Sequence, residues 1–150
     1  MQTKTSIEID ASPETVWTLL TDPDKVMTWN PDIVANEPAE PGPGRVGHIS
    51  VTKIKEGSRI VDYVTEVMVL EPEEYLEIEM REGSLGKNPM RVGYTLTPNR
   101  AGTTLEMTGN WKPSGIMLRL MLPLILLMGR RNSRVALGRL KALAEGEPQP

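Results

Sequence analysis

The stretch from Ser114 to Ala144 limits the possible folds more than any other part of the chain. It reads S-G-I-M-L-R-L-M-L-P-L-I-L-L-M-G-R-R-N-S-R-V-A-L-G-R-L-K-A-L-A. As one helix these 31 residues would reach about 45 Å, longer than a domain of this size is wide. The first half, Ile116 to Met128, is apolar almost all round. The second half is amphipathic, with Val135, Leu137, Leu140 and Leu143 set among Arg130, Arg131, Arg134, Arg139 and Lys141. The apolar run is 13 residues long and contains Arg119 and Pro123. That is short of the roughly 17 residues needed to cross a bilayer, so a buried helix is expected. Such a helix needs a large apolar partner, which the preceding strands must supply.

Those strands are legible. Gln2 to Ile9 alternates, with Thr3, Thr5, Ile7 and Ile9 on one face, and predicts an N-terminal strand. Ser12 before Pro13 and Glu14 is a helix start, and Val16, Leu19 and Leu20 share a face. Thr21-Asp22-Pro23 ends that helix and caps a second, Asp24 to Thr28. Asn36 to Gly44 holds three prolines and two glycines and predicts a loop. Five strands follow: Arg45–Lys55, Arg59–Leu70, Glu74–Arg81, Pro89–Thr97 and Thr103–Lys112. The count is six, and Ile33 to Glu37 is a further possible short piece. Arg59–Leu70 is long enough to carry a bulge. Hairpin-linked strands before one long helix predict an α+β domain with an antiparallel sheet. One domain over residues 1–146 is expected, with 147–150 a short flexible tail.

Charge is unevenly spread. Residues 1–106 hold 10 Lys+Arg against 18 Asp+Glu, whereas 107–144 hold seven cations and no acid. A basic helix lying against an acidic sheet explains this. Attraction to an anionic membrane surface or an acidic partner is the functional alternative. Nucleic acid is not an expected partner, because no aromatic residues are interleaved with the basic ones. The chain has no cysteine, which excludes disulfides, thiolate metal sites and a cysteine nucleophile. It fits a reducing cytoplasm, and Met1 to Asp10 has no apolar run of the kind a secretion signal needs. There is no phenylalanine but there are nine methionines, so adaptable thioethers fill much of the interior.

Obvious reactive constellations are missing. His48 is the sole histidine, and no nucleophile elbow, paired-histidine motif or glycine-rich phosphate loop occurs. Neither a cofactor nor a metal is expected. Asp62 and Glu66 share a strand face that reads as solvated. Around His48 the set Gly47, Ile49 and Val51 is the more apolar, which points His48 outward. Tyr94 lies with Val92 and Leu96 on an apolar face and points inward.

Several motifs together resemble the START-like, or helix-grip (SRPBCC), superfamily. They are Ile7-Glu8-Ile9-Asp10-Ala11-Ser12-Pro13-Glu14-Thr15-Val16-Trp17, Leu20-Thr21-Asp22-Pro23 and Trp29-Asn30-Pro31-Asp32. Leu70-Glu71-Pro72 looks like its strand-end turn, and Tyr94–Pro98 with Gly102–Leu105 like its penultimate hairpin. The nearest likeness is to the bacterial polyketide cyclase/dehydrase-type branch. The resemblance implies a seven-stranded sheet curled around the C-terminal helix, with a cavity between them. It places Trp29 and Asn30 at the pocket mouth. Ligand contacts are then expected from Tyr63, Met80, Met90, Val92, Met107, Met117 and Met121.

Three functions follow. One is binding or transport of a hydrophobic small molecule such as a lipid, isoprenoid or polyketide. Another is a cyclase or dehydratase using His48, Tyr94 and Arg91 as acid–base and polar groups, since imidazole exchanges protons near neutral pH. The third is a membrane- or partner-binding module built on Leu120–Met128 and Arg130–Arg134, or the same surface as a homodimer contact. With Gly115, Pro123 and Gly129 in place, the long helix should split or bend between Leu122 and Arg130. Arg130–Ala144 would then grip the sheet, leaving Ser114–Met128 as an apolar lip.

Overall fold

A computed structural model describes residues 2–39, 45–85 and 87–146. The expected strand at the start is β1 (Gln2–Ile9). Ser12 Oγ accepts the Thr15 N–H at 3.2 Å and opens α1 (Pro13–Thr21). Asp22 closes α1 and accepts the Asp24 N–H at 3.0 Å, opening α2 (Pro23–Trp29). In both helices a proline sits in the first turn, where its missing N–H costs nothing. The remaining strands are β2 (Ile33–Pro38), β3 (Ile49–Glu56), β4 (Arg59–Glu71), β5 (Tyr75–Arg81), β6 (Met90–Pro98) and β7 (Thr103–Trp111). They form one antiparallel sheet in the order β1-β7-β6-β5-β4-β3-β2. Two helices end the chain, α3 (Ile116–Leu120) and α4 (Leu122–Ala144).

The seventh strand is β2. Its sequence, Ile-Val-Ala-Asn-Glu-Pro, has little alternation, and its pairing with β3 is interrupted between Ile33 and Ala35. Beyond it, the predicted loop's residues 40–44 lie outside the described residues, as does the predicted tail 147–150. β3 begins at Ile49 rather than Arg45, because Gly47 takes φ +87° in a turn. The long strand β4 has its bulge between Val67 and Val69. Gly47 N–H donates to the Val67 carbonyl at 2.8 Å, and Val67 N–H to the His48 carbonyl at 3.0 Å. The bulge thus gains main-chain partners from the turn before β3.

Leu137 and Leu140 on α4 are sealed against Ile9, Leu105, Val92, Leu96 and the inner faces of α1 and α2. Burying each such leucine contributes roughly 1.5–3 kcal/mol. The end of α4 is tied to the first strand: Lys141 Nζ donates to the Glu8 carbonyl at 2.7 Å, and Asp10 N–H donates to Glu145 Oε2 at 2.7 Å. Opposite, Thr103 Oγ1 donates to the Ala11 carbonyl at 2.7 Å. Gly102 there has φ +152°, and an added Cβ would lie 2.5 Å from the Ala11 oxygen. A second cluster joins Tyr63, Leu85 and Trp111, with Leu118 and Ile125 packed on it. Trp111 therefore meets the start of the C-terminal helices.

Three expectations about the helical stretch change. The break falls at Met121, one residue before the predicted window, and Pro123 is accommodated in the first turn of α4. Gly129 continues the helix. The apolar run is not buried: Ile116, Met117 and Leu120 are 77%, 74% and 75% exposed. Only Leu118 and Ile125 of this run reach the Trp111 cluster, and its other large side chains lean off the sheet or sit half-buried. Finally, the basic helix does not neutralise the acidic sheet. The sheet pairs with itself, through Arg81 to Glu66 and Glu79, Arg91 to Glu77 and Glu79, and Lys53 to Asp62. Among the described residues, Lys141 is the one C-terminal cation in an ion pair, with Glu145. Among the described residues no helix is long and apolar enough to cross a membrane.

Candidate functional site

The concave side of the sheet, α4 and the two short helices line an open-mouthed cavity of about 710 Å³. Its walls divide by strand. Leu76, Ile78 and Met80 of β5, Met90 and Val92 of β6 and Met107 of β7 make an apolar floor. His48 just before β3, Ser50 and Thr52 of β3, Thr65 of β4 and Asn36 of β2 make a polar stripe beside it. Trp17, Leu20, Val26 and Trp29 come from the short helices, and Gly129, Asn132, Ser133 and Ala136 from α4.

The polar stripe reverses the expected orientation of β3. His48, Ser50 and Thr52 face the cavity, and Ile49 is exposed on the other side. Register explains this: Ser50 lies opposite Thr65 and Thr52 opposite Tyr63. The two threonine hydroxyls meet each other, which offsets the cost of burying them. Thr52 Oγ1 lies 3.2 Å from Thr65 Oγ1 and 3.5 Å from Asn36 Oδ1, and Thr65 Oγ1 lies 3.3 Å from the Ser50 carbonyl, so the two hydroxyl protons share three acceptors. An apolar-in reading has no access to that pairing. His48 is half-buried at the start of the stripe.

Tyr94 lines the cavity from β6, as expected. Its hydroxyl has no hydrogen-bond partner among the described residues. Burial alone pushes its pKa up to about 12, so the phenol stays neutral near physiological pH. Its ring and the Trp29 indole pack edge to face, with centroids 6.5 Å apart and planes at 85°. Trp29 Nε1 donates to the Leu19 carbonyl at 2.7 Å, which fixes the indole between α1 and α2. Trp29 is thus both a staple of the small helices and a wall of the cavity. Asn30 also lines it, with Oδ1 accepting the Asp32 N–H at 3.3 Å.

Four candidate residues lie elsewhere. Arg91 is on the outer face of the sheet, between two inward neighbours on its strand. Its guanidinium reaches Glu77 at 2.9 Å and Glu79 at 3.1 Å. It lines a separate polar crevice with Gln2, Tyr75 and Asn110. Tyr63 is buried in the Trp111 cluster rather than along the cavity, because the inward stripe ends at Thr65 and the loop after β5 packs on its ring. Its hydroxyl donates to Glu56 Oε1 at 2.6 Å; burial first, and then that bond, raises its pKa. Met117 and Met121 are exposed and line neither the cavity nor the crevice, since their helical turn leans away from the sheet. Met80, Met90, Val92 and Met107 do line the cavity.

Sequence reasoning passes over Ser50, Thr52, Thr65, Asn36, Asn132 and Ser133. A weak signal exists on α4, where Gly129, Asn132, Ser133 and Ala136 recur at helical spacing on one face. Among the described residues no three His, Asp or Glu are grouped to hold a metal ion.

The family model for polyketide cyclase / dehydrase and lipid transport matches residues 1–145. The chain belongs to this family. The Zhui aromatase/cyclase of Streptomyces sp. R1128 superposes with a TM-score of 0.78 at 18% identity, covering 97% of this chain and 93% of that one. A protein of Thermus thermophilus gives 0.78 at 17% identity, covering 94% of each chain. Ara h 8.0201 gives 0.67 at 11% identity, covering 93% and 97%. These likenesses establish the helix-grip fold. No curated protein matches the chain at a significant level.

Proposed function

We propose that this chain binds and carries a hydrophobic small molecule with a polar end, of the lipid, isoprenoid or polyketide kind. The observation that carries this reading is the two-sided wall of the 710 Å³ cavity. A volume of several hundred Å³ suits one drug- to lipid-sized molecule. The methionine and aliphatic floor on β5–β7 accepts a flexible chain or fused rings, and thioethers adapt to either. The hydroxyls of β3 and β4, His48 and the unpartnered Tyr94 phenol offer hydrogen bonds to a head group. The test is organic extraction of the purified protein followed by mass spectrometry, with displacement of a fluorescent fatty acid in parallel. An expected positive is a copurifying apolar species and displacement at micromolar protein. Absence of both overturns the reading.

A second reading is favoured by one observation: Tyr94 and His48 line the same cavity. In a cyclase or dehydratase, the neutral Tyr94 phenol would donate to a developing enolate oxygen and His48 would move the proton. Arg91 has no part, because it lies on the opposite face. Tyr94→Phe and His48→Gln would then abolish turnover of a poly-β-keto thioester while leaving binding of a fatty-acid probe within a fewfold. No turnover by the parent protein removes the enzyme reading and leaves the carrier, and turnover that survives both substitutions removes Tyr94 and His48 from the chemistry.

A further inference from the structure

We infer that the chain docks on an anionic lipid surface through α3 and the first half of α4. Seven large apolar side chains stand exposed there in one short segment: Ile116, Met117, Leu120, Met121, Leu124, Leu127 and Met128, from 45% to 77% exposed. Monomeric proteins rarely expose more than roughly a few hundred Å² of contiguous apolar surface, and larger patches mark interaction sites. The charge beside the patch identifies the partner. Arg119, Arg130, Arg131 and Arg134 are at the surface, and among the described residues none of them makes an ion pair or side-chain hydrogen bond. Of the strand cations, Lys4, Lys53, Arg81 and Arg91 are paired with acids, whereas Lys55 and Arg59 make no ion pair among the described residues.

The spacing puts charge and grease together. On α4, Leu124, Leu127, Met128, Arg131, Arg134 and Val135 recur at three- and four-residue intervals and share one side of the helix. Arginines on such a face keep their heads at phosphate level while their stems cover apolar surface. A protein partner of this chemistry would need its own acids placed opposite these arginines. A bilayer bearing anionic lipid supplies both halves without such a match. The opposite side of the same helix, at Gly129, Asn132 and Ser133, is cavity wall. The docking surface therefore adjoins the cavity, but the inference does not depend on what the cavity holds.

The full chain is sedimented with vesicles of phosphatidylcholine alone and of phosphatidylglycerol and phosphatidylcholine in a ratio of about one to three. Binding to the anionic vesicles is expected, with little to the neutral ones, and it weakens as salt rises. Arg130→Gln, Arg131→Gln and Arg134→Gln combined should lower partitioning roughly a hundredfold, at about a factor of five per arginine. Leu120→Asp, Leu124→Asp and Leu127→Asp combined should abolish it. Both triple variants change exposed positions outside the cavity, so circular dichroism and fatty-acid-probe displacement without vesicles should match the parent. That keeps failure here distinct from failure of the carrier reading. Equal binding to neutral and anionic vesicles overturns the inference, as do no binding at all and unchanged binding by both variants. Light scattering covers the remaining outcome: a dimer that the leucine variants dissociate would mean a second copy covers the patch, and that too overturns it.

Discussion

Removing the Tyr94 hydroxyl should affect stability and binding in opposite directions. In Tyr94→Phe the ring still fills its place beside Trp29, and no hydrogen bond among the described residues is lost. Leaving a buried hydroxyl unpaired costs about 1–3 kcal/mol, less where it faces a cavity large enough for water. At neutral pH the variant should therefore be unchanged or more stable by up to about 1 kcal/mol, or some 2–4 °C in melting temperature. Above neutrality the two proteins diverge. Tyr94 holds its proton to about 12 in the fold, against an ordinary value of 10.0. Between those values the unfolded chain releases the proton and the folded chain keeps it. The parent's stability from this group is thus complete below about pH 10 and falls as pH rises towards 12, by roughly 2–3 kcal/mol. The other two tyrosines titrate in both proteins, so the difference between their urea-denaturation profiles isolates Tyr94. The same variant should bind a ligand that accepts from the phenol about fivefold more weakly. A loss of more than about 1 kcal/mol at neutral pH would refute the reasoning, because it would reveal a protein partner. So would identical pH profiles.

Other positions give sharper yes-or-no outcomes. Leu140→Ala removes a fully buried side chain where α4 meets β1 and should cost about 2–5 kcal/mol in urea unfolding. Arg91→Met removes surface ion pairs only, so stability should shift by no more than about 1 kcal/mol. Probe binding in the cavity should be unaffected, and an Arg91 variant that loses binding would put that guanidinium in the site after all.

How far the chain could be read from its sequence depends on what each signal encodes. Strands β1, β5, β6 and β7 alternate cleanly because one face meets the core, and Ser12 and Asp22 announce their helices through capping. β2 is nearly silent, because its pairing with β3 is interrupted between Ile33 and Ala35 and the period-two pattern is lost with it. The face of β3 is misread for a physical reason. Polar residues at its start line a cavity and pair across the sheet, whereas Ile49 is left outside. Alternation reports which face is apolar, and a cavity wall is a place where the inner face need not be. The first half of the long helix misleads in the same manner. Ile116–Met128 is apolar enough for a core, yet only its contacts show which side chains find one. Tyr94 and Trp29 are legible because their neighbours are ordinary core residues.

The sheet runs from β1 to β2 without the two edges pairing, and this governs how the cavity can change size. In a closed barrel the circumference is locked by main-chain hydrogen bonds around the whole ring. Here the gap between the edges is bridged by α1, α2 and α4 through side-chain packing and a few tethers such as Trp29 to Leu19. Widening the cavity means sliding helices over one another, with every rung of the ladder intact. The cavity can then change girth at the cost of repacking alone, and the helices rather than the strands set its upper limit.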